Sequence, residues 1–270
     1  MKFLNLLHSI KSQASFLVLQ AYGRKAGLDL HRSQIRPFAW QMVRGTYEKE
    51  IIEEMLKCLP VGGVFLDIGA NIGYVTVMAA RRCGAGGRVY SFEPNPVLFP
   101  TLLKNAKRHS CVTAFNKAAG RTAGELPFYI GDTTDSGSFA RDFVKLCTYH
   151  KLTETVVSIC PAEVILEEME VTHVDVVKLD VEGFEHEALA GLGAFLNPAR
   201  MGYLFIEINP RAQRASGHST GGLLAFVAEK GYRIFGIESP WKDKEILAED
   251  YRQFEEDIGD GYTTIQCRGN

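Results

Sequence analysis

The chain has 270 residues, 46% hydrophobic and 23% charged, enough apolar material for one large or two small folded domains. A formal net charge of −2 excludes a general nucleic-acid binder, which would carry a strong basic excess. Six cysteines, at 58, 83, 111, 147, 160 and 267, form neither a CxxC pair nor a Cys/His zinc spacing, so reduced thiols and a cytoplasmic location are expected.

The first element reads as helical. Phe3, Leu4, Leu7 and Ile10 recur at helical spacing, with Lys2, His8 and Lys11 among them. Two readings stay open here: an N-terminal helical cap, assigned to residues 1–45 and docked on the rest of the chain, or a helix in peripheral contact with a membrane. The longest uninterrupted apolar run of this N-terminal stretch, Phe16 to Leu19, is too short to span a bilayer or to form a signal-peptide core, so no transmembrane segment is expected.

Residues 46–270 read as the main domain. Tyr47 to Leu59 is predicted helical, with Ile51, Ile52, Met55, Leu56 and Leu59 on its apolar side, and Pro60 with Gly62 and Gly63 stops it. Strand "VFLDI" (64–68), helix "YVTVMAARRC" (74–83), strand "GRVYSFE" (87–93), helix "NPVLFPTLLKNAKRH" (95–109) and strand "CVTAFNKAA" (111–119) follow. Strands that are apolar throughout and alternate with helices predict a parallel sheet covered on both faces. The polar connection 120–155 is long for a compact domain. It reads either as a lid or binding loop or as a surface β-hairpin, with Phe139, Phe143 and Leu146 suited to one short helix. "VDVVKLD", "YLFIEI", "YRIFGI" and "YTTIQC" bring the count to about seven strands in one doubly wound, Rossmann-like α/β domain. The last two have no clear helix between them and are expected to pair antiparallel at one edge.

Ligands of open α/β sheets sit outside the carboxyl ends of the strands, where strand order reverses. Asp67, Glu93, Asn116, Asp180 and Glu207 all fall at such ends. Four carboxylates on one rim repel one another and are costly to desolvate, so together they indicate a site. The loop "DIGANIG" spaces its glycines as Gly-x-x-x-Gly around Asn71, not as the Gly-x-G-x-x-Gly of a dinucleotide fold. Asp67 would repel a pyrophosphate but would accept hydrogen bonds from an ammonium group. S-adenosylmethionine offers an ammonium, and its ribose hydroxyls suit Glu93, about 20 residues beyond Gly73. None of the ten tyrosines has a lysine four residues on, so the Tyr-x-x-x-Lys pair of many reductases is missing.

"VFLDIGANIGYVTVMAA", "GRVYSFEPNP", "VDVVKLDVEGFEHEALAGLGAFL" and "LFIEINP" together resemble the FkbM-type S-adenosylmethionine-dependent methyltransferases, from about Gly45 to about Pro210. "KLDVEGFE" is the most discriminating part. The resemblance implies a class I methyltransferase fold over 46–270, with a mostly parallel sheet and an antiparallel edge strand. It also implies methylation of a hydroxyl on a sugar, glycan or other small molecule. It assigns Asp67, Gly69, Ala70, Asn71, Gly73, Glu93, Pro94 and Asp180 to the cofactor, with Asn116 and Ala118 near the adenine. "DSGS" (135–138) is similar to a family segment after the third strand. "SICPAEV" departs from the usual pattern, either losing a carboxylate there or shifting it to Glu163.

Methyl transfer is an in-line displacement, so the acceptor oxygen must be aligned and its proton removed. Asp180 is the first candidate base and Glu182 the second; Glu207 ends the neighbouring strand and joins them as a catalytic candidate. Adjacent strand ends lie about 4.8 Å apart, so Asp180 and Glu207 are placed to share a proton, orient a hydroxyl or hold a divalent metal ion. No histidine joins these carboxylates, and no residue is assigned as a metal ligand. Glu185 suits the first turn of a helix. Lys178, inside an apolar strand, needs a partner. His186, four residues after Glu182, and His218 rank behind as bases. The polar segment 211–230 is placed on the acceptor side. Two alternatives stay open: methylation of a protein or RNA acceptor, and a non-catalytic S-adenosylmethionine-binding module.

Overall fold

The computed structural model describes residues 15–31, 36–131, 137–148 and 151–269. The expected helix around Phe3–Ile10 lies outside them, as do Asp135 and Ser136 of the "DSGS" segment. A helix over 15–25 (α1) and α2 (Arg36–Arg44) precede α3 (Lys49–Cys58). Leu19, Ala39, Met42, Ile51, Ile52 and Met55 from this layer are buried in one cluster with Phe65, Val77 and Val89. The apolar stripe of each helix thus packs onto one face of the sheet.

The alternation read from the sequence continues as β1 (Val64–Ile68), α4 (Tyr74–Cys83), β2 (Arg88–Phe92), α5 (Phe99–Ala106) and β3 (Val112–Phe115). An excursion supplies β4 (Ala118–Ala119), β5 (Gly124–Ile130), β6 (Gly137–Ser138), α6 (Arg141–Cys147) and β7 (Thr153–Cys160). The chain then runs through α7 (Ala162–Glu168), β8 (Val174–Leu179), α8 (Glu185–Ala190), β9 (Met201–Ile208), α9 (Pro210–Ala215) and α10 (Thr220–Glu229). It ends with β10 (Arg233–Gly236), α11 (Tyr251–Ile258) and β11 (Thr263–Arg268).

The main sheet has the order β10-β11-β9-β8-β1-β2-β3. β11 runs antiparallel to both β9 and β10 at one edge, and the other pairings are parallel. The doubly wound, Rossmann-like architecture expected from the sequence is therefore present. Side-chain alternation along β1 feeds both faces: Val64, Leu66 and Ile68 join the core under α8 and α10, while Phe65 faces α3 and α4. Phe65, Leu66 and Ile68 are wholly buried, and each such side chain contributes roughly 1.5–3 kcal/mol.

The structure departs from the sequence reading in two places. "CVTAFNKAA" is not one strand: β3 stops at Phe115, the chain bends at Asn116 and Lys117, and β4 enters a second sheet ordered β4-β7-β5-β6. That sheet is the 120–155 connection itself, an antiparallel β5–β7 pair with Phe128, Ile130 and Val157 buried together. The short helix expected there is α6, which holds Phe143 and Leu146, while Phe139 precedes it. A helix, α11, does separate the last two strands. Phe254 is its buried residue, and a single apolar anchor leaves no periodic trace in sequence. Among the described residues no helix is long and apolar enough to cross a membrane.

Candidate functional site

A cavity opens at the carboxyl ends of β1, β2, β8 and β9, bounded by the bend between β3 and β4 on one side and by Tyr262 before β11 on the other. Strand order reverses between β1 and β8, so the cavity lies where a doubly wound sheet places its ligand.

Over β1 and β2 the wall is largely backbone. Gly69, Asn71 and Gly73 have φ of 82°, 52° and 86°, which turns the chain from β1 into α4. Gly69 admits no side chain, since a Cβ would overlap the Asp180 carbonyl. The amides of Gly69 and Ala70 both donate to the Phe92 carbonyl, at 3.0 and 2.9 Å. Glu93 is 5% exposed and lines the cavity. Its oxygens accept from Asn71 N at 2.7 Å and Asn95 N at 2.8 Å. Burial pushes its carboxyl up to about 7 against the pull of those amides. Pro94, Asn95, Lys117, Ala118, Phe128 and Phe139 close this end.

Three expected cofactor residues do not reach the cavity. Asp67 is 0% exposed and faces inward: Thr76 Oγ1 donates to it at 2.6 Å, and its other oxygen lies 3.7 Å from Lys178 Nζ. The β1–β8 register pairs Asp67 with Lys178 directly, so this carboxylate anchors the lysine rather than a ligand's ammonium. Gly73 caps α4 against Leu102. Asn116 holds the bend, donating to the Glu93 carbonyl at 2.8 Å and the Pro94 carbonyl at 3.2 Å. Gly69, Ala70, Asn71, Glu93, Pro94, Ala118 and Asp180 do line the cavity.

Over β8 and β9 the wall is side-chain oxygen. Leu179 pairs with Ile206, so the residues that follow, Asp180 and Glu207, emerge side by side as the sequence predicts. Glu182 joins them from a left-handed turn (φ 50°), and oxygens of all three carboxylates lie within 4.8 Å of one another. Asn209 Nδ2 donates to Glu182 at 3.2 Å, and Ser138 Oγ donates to the Glu182 carbonyl at 2.7 Å. Lys178 finds its partners here: Nζ donates to the Gly69 carbonyl at 2.7 Å and lies 3.1 Å from Asp180. Burial alone would lower its pKa, but Asp180 and Asp67 raise it and keep the ammonium charged. Burial, then repulsion from Asp180, Glu182 and Glu48, drives Glu207 well above the ordinary carboxylate range. Oxygen-only ligands at this spacing suit a divalent cation, although the Lys178 ammonium already serves Asp180.

The sequence reading did not find Tyr47, Glu48 and Tyr262, which line the same half. Glu48 precedes α3 with φ 43°, and burial followed by Asp180 raises its pKa while Lys178 opposes. Burial and Glu48 likewise raise the Tyr47 phenol. The only sequence signal of Tyr47 and Glu48 was position, at the start of a helix well before the glycine loop, and Tyr262 had only its place before the last strand.

Other candidates sit elsewhere. Glu185 is 1% exposed beneath the cavity, accepting from Gly183 N at 2.9 Å, and burial raises it to about 7. His186 stacks on His218 (centroids 4.9 Å, planes 9° apart) and packs on Phe226. Glu163 accepts from Ala194 N at 2.7 Å and does not line the cavity.

The family model described as "Methyltransferase FkbM domain" matches residues 67–234. The hexuronic acid methyltransferase AglP of Haloferax volcanii is 28% identical over 163 residues, 60% of this chain and 62% of that one. Solved structures include magnesium protoporphyrin IX methyltransferase from Synechocystis with bound S-adenosylmethionine, 12% identical with a TM-score of 0.45 over 88% of this chain and 86% of that one. A TehB-like S-adenosylmethionine-dependent methyltransferase from Corynebacterium glutamicum is 11% identical, with a TM-score of 0.45 over 87% and 95% of the two chains. The family match covers more than half of the chain and contains the glycine loop, Glu93, Asp180 and Glu207: this protein belongs to the FkbM methyltransferase-domain family and has the Rossmann-like class I methyltransferase fold.

Proposed function

We propose that the protein is a cytoplasmic S-adenosylmethionine-dependent O-methyltransferase whose acceptor is a sugar or glycan hydroxyl. Residues 46–270 form the catalytic domain, with the preceding helices as its cap. One observation carries the reading. A glycine turn beside a buried carboxylate, Glu93, shares a cavity with three carboxylates whose oxygens lie within 4.8 Å of one another. The residues present fit the cofactor: Glu93 suits ribose hydroxyls, the Gly69–Asn71 backbone gives close approach, and the excess of carboxylate suits a sulfonium and an ammonium. When bound, S-adenosylmethionine supplies a methyl group on positively charged sulfur.

The chain's own residues supply alignment and proton transfer. Asp180, held by Lys178, orients the acceptor hydroxyl. Burial and three neighbouring carboxylates raise the pKa of Glu207, and in its charged form it takes the hydroxyl proton. Glu182, fixed by Asn209, completes the acceptor wall.

The hexuronic acid relative supports a sugar acceptor, as does a rim of carboxylates suited to hydroxyl donors. The test is twofold. S-adenosylhomocysteine should raise the melting temperature while NADH does not, and labelled methyl should pass to sugar nucleotides or cell-envelope glycan extracts at an alkali-stable ether. Stabilisation by NADH alone, or label found only in protein or RNA, would overturn the reading.

A further inference from the structure

We infer that the acceptor half of the cavity is built for a sugar carrying a protonated amine as well as the hydroxyl, and is built against a hexuronate. The inference rests on the methyl-transfer reading above. Among the described residues lining the cavity, the carboxylates are Glu48, Glu93, Asp180, Glu182 and Glu207, and the ammonium groups are Lys117 and Lys178. Glu93 is held by two backbone amides at the cofactor end. Lys117 lies on the bend between β3 and β4, also at that end.

That leaves four carboxylates around the acceptor half, facing one ammonium that is already engaged. Lys178 is 7% exposed and committed to the Gly69 carbonyl, Asp180 and Asp67. A cofactor with a single net positive charge does not cancel the remainder. The neutral donors nearby are the Asn209 amide, bonded to Glu182, and the Tyr47 and Tyr262 phenols. An acceptor carboxylate entering here meets like charge at close range in a poorly solvated site, with no guanidinium among the described lining residues to receive it. An ammonium meets several acceptors at once.

A second observation points the same way. Glu48, just before α3, reaches this cluster from a part of the chain remote from β8 and β9, and it lines the cavity close enough to Asp180 to be repelled by it. Glu48 thus brings a fourth carboxylate to the rim from before β1. Burial and Asp180 raise Glu48, and burial and its neighbours raise Glu207. A ligand cation returns both groups to the charged form and removes the repulsion.

The experiment uses the full chain saturated with S-adenosylhomocysteine, in EDTA at pH 7, and reads melting temperature with equal millimolar glucosamine, glucose or glucuronate. Glucosamine is expected to raise it by roughly 2–4 °C, glucose by less and glucuronate not at all. In E48Q and E182Q the glucosamine shift should fall to the glucose level while the shift due to S-adenosylhomocysteine stays. A glucuronate shift equal to or above that of glucosamine overturns the inference, and so does a glucosamine shift that is absent or indifferent to both substitutions. Absence of any shift with S-adenosylhomocysteine itself would overturn the methyl-transfer reading and this inference with it.

Discussion

Over β1 and β2 the cavity wall is backbone, and its one carboxylate, Glu93, accepts an amide on each oxygen; over β8 and β9 the wall is crowded carboxylate with a single lysine to serve it. The first arrangement gives each oxygen of its carboxylate a backbone amide. The second is electrostatically unfinished, because burial and repulsion hold Glu207 far from its ordinary behaviour. On the proposed function, rigid recognition falls to the first side and proton chemistry to the second.

The sharpest way to break that contrast is Glu207→Gln. Steady-state kinetics should show kcat falling about 10²–10⁴-fold, while calorimetric affinity for S-adenosylhomocysteine holds within about threefold. Because the Glu207 carboxyl is raised, it must lose its proton before it can accept another. The wild-type rate should therefore climb with pH through a value above the ordinary 4.5, and the variant should lose that limb. Equal losses in kcat and cofactor affinity would erase the division between the halves.

Gly69→Ala attacks the other side. Its φ of 82° and the overlap of any Cβ with the Asp180 carbonyl should weaken S-adenosylhomocysteine binding by about 100-fold, roughly 3 kcal/mol, in protein whose circular dichroism is unchanged.

Next in size is an effect beneath the floor. Burial, with Asp180 contributing, raises Glu185 from 4.5 to about 7, so the folded state holds a proton that the unfolded chain releases in that window. Its contribution to stability is present below about pH 4.5 and is lost as pH rises towards about 7. Denaturation midpoints from pH 5 to 8 should show Glu185→Gln flattening that decline, by about 1–3 kcal/mol at the alkaline end. Persistence of the slope would move its origin to other carboxyls.

The smallest expected effect is that of chelation. Since the Lys178 ammonium sits 3.1 Å from Asp180, turnover with and without EDTA should agree within about twofold. Loss of activity restored by magnesium would make Asp180, Glu182 and Glu207 a cation site and would redraw the acceptor half.

How much of this was legible in the sequence follows the same division. "VFLDI" and "YVTVMAARRC" are β1 and α4 residue for residue, because an apolar run and a glycine turn are local signals. Asp180 beside Glu207 followed from strand order alone. Asp67 was misplaced because sequence reports which strand end a carboxylate occupies, not that Lys178 stands opposite it in register. Tyr47, Glu48 and Tyr262 escaped because only folding brings residues before β1 and after α11 to a shared rim. The second sheet was legible only as one of two open readings, a surface β-hairpin, because the first four residues of β5 are exposed and show no buried alternation.

Lys178 has a consequence for the order of events at this site. Its ammonium bonds at once to the carbonyl of the glycine turn and to the Asp180 carboxylate, at 2.7 and 3.1 Å. Any ligand that draws Asp180 away from the lysine alters the hold on Gly69, and any ligand that tightens the turn alters Asp180. Thermodynamic reciprocity then requires that the factor by which an acceptor changes cofactor affinity equal the factor by which the cofactor changes acceptor affinity. One buried ammonium thus bridges the two halves of the cavity.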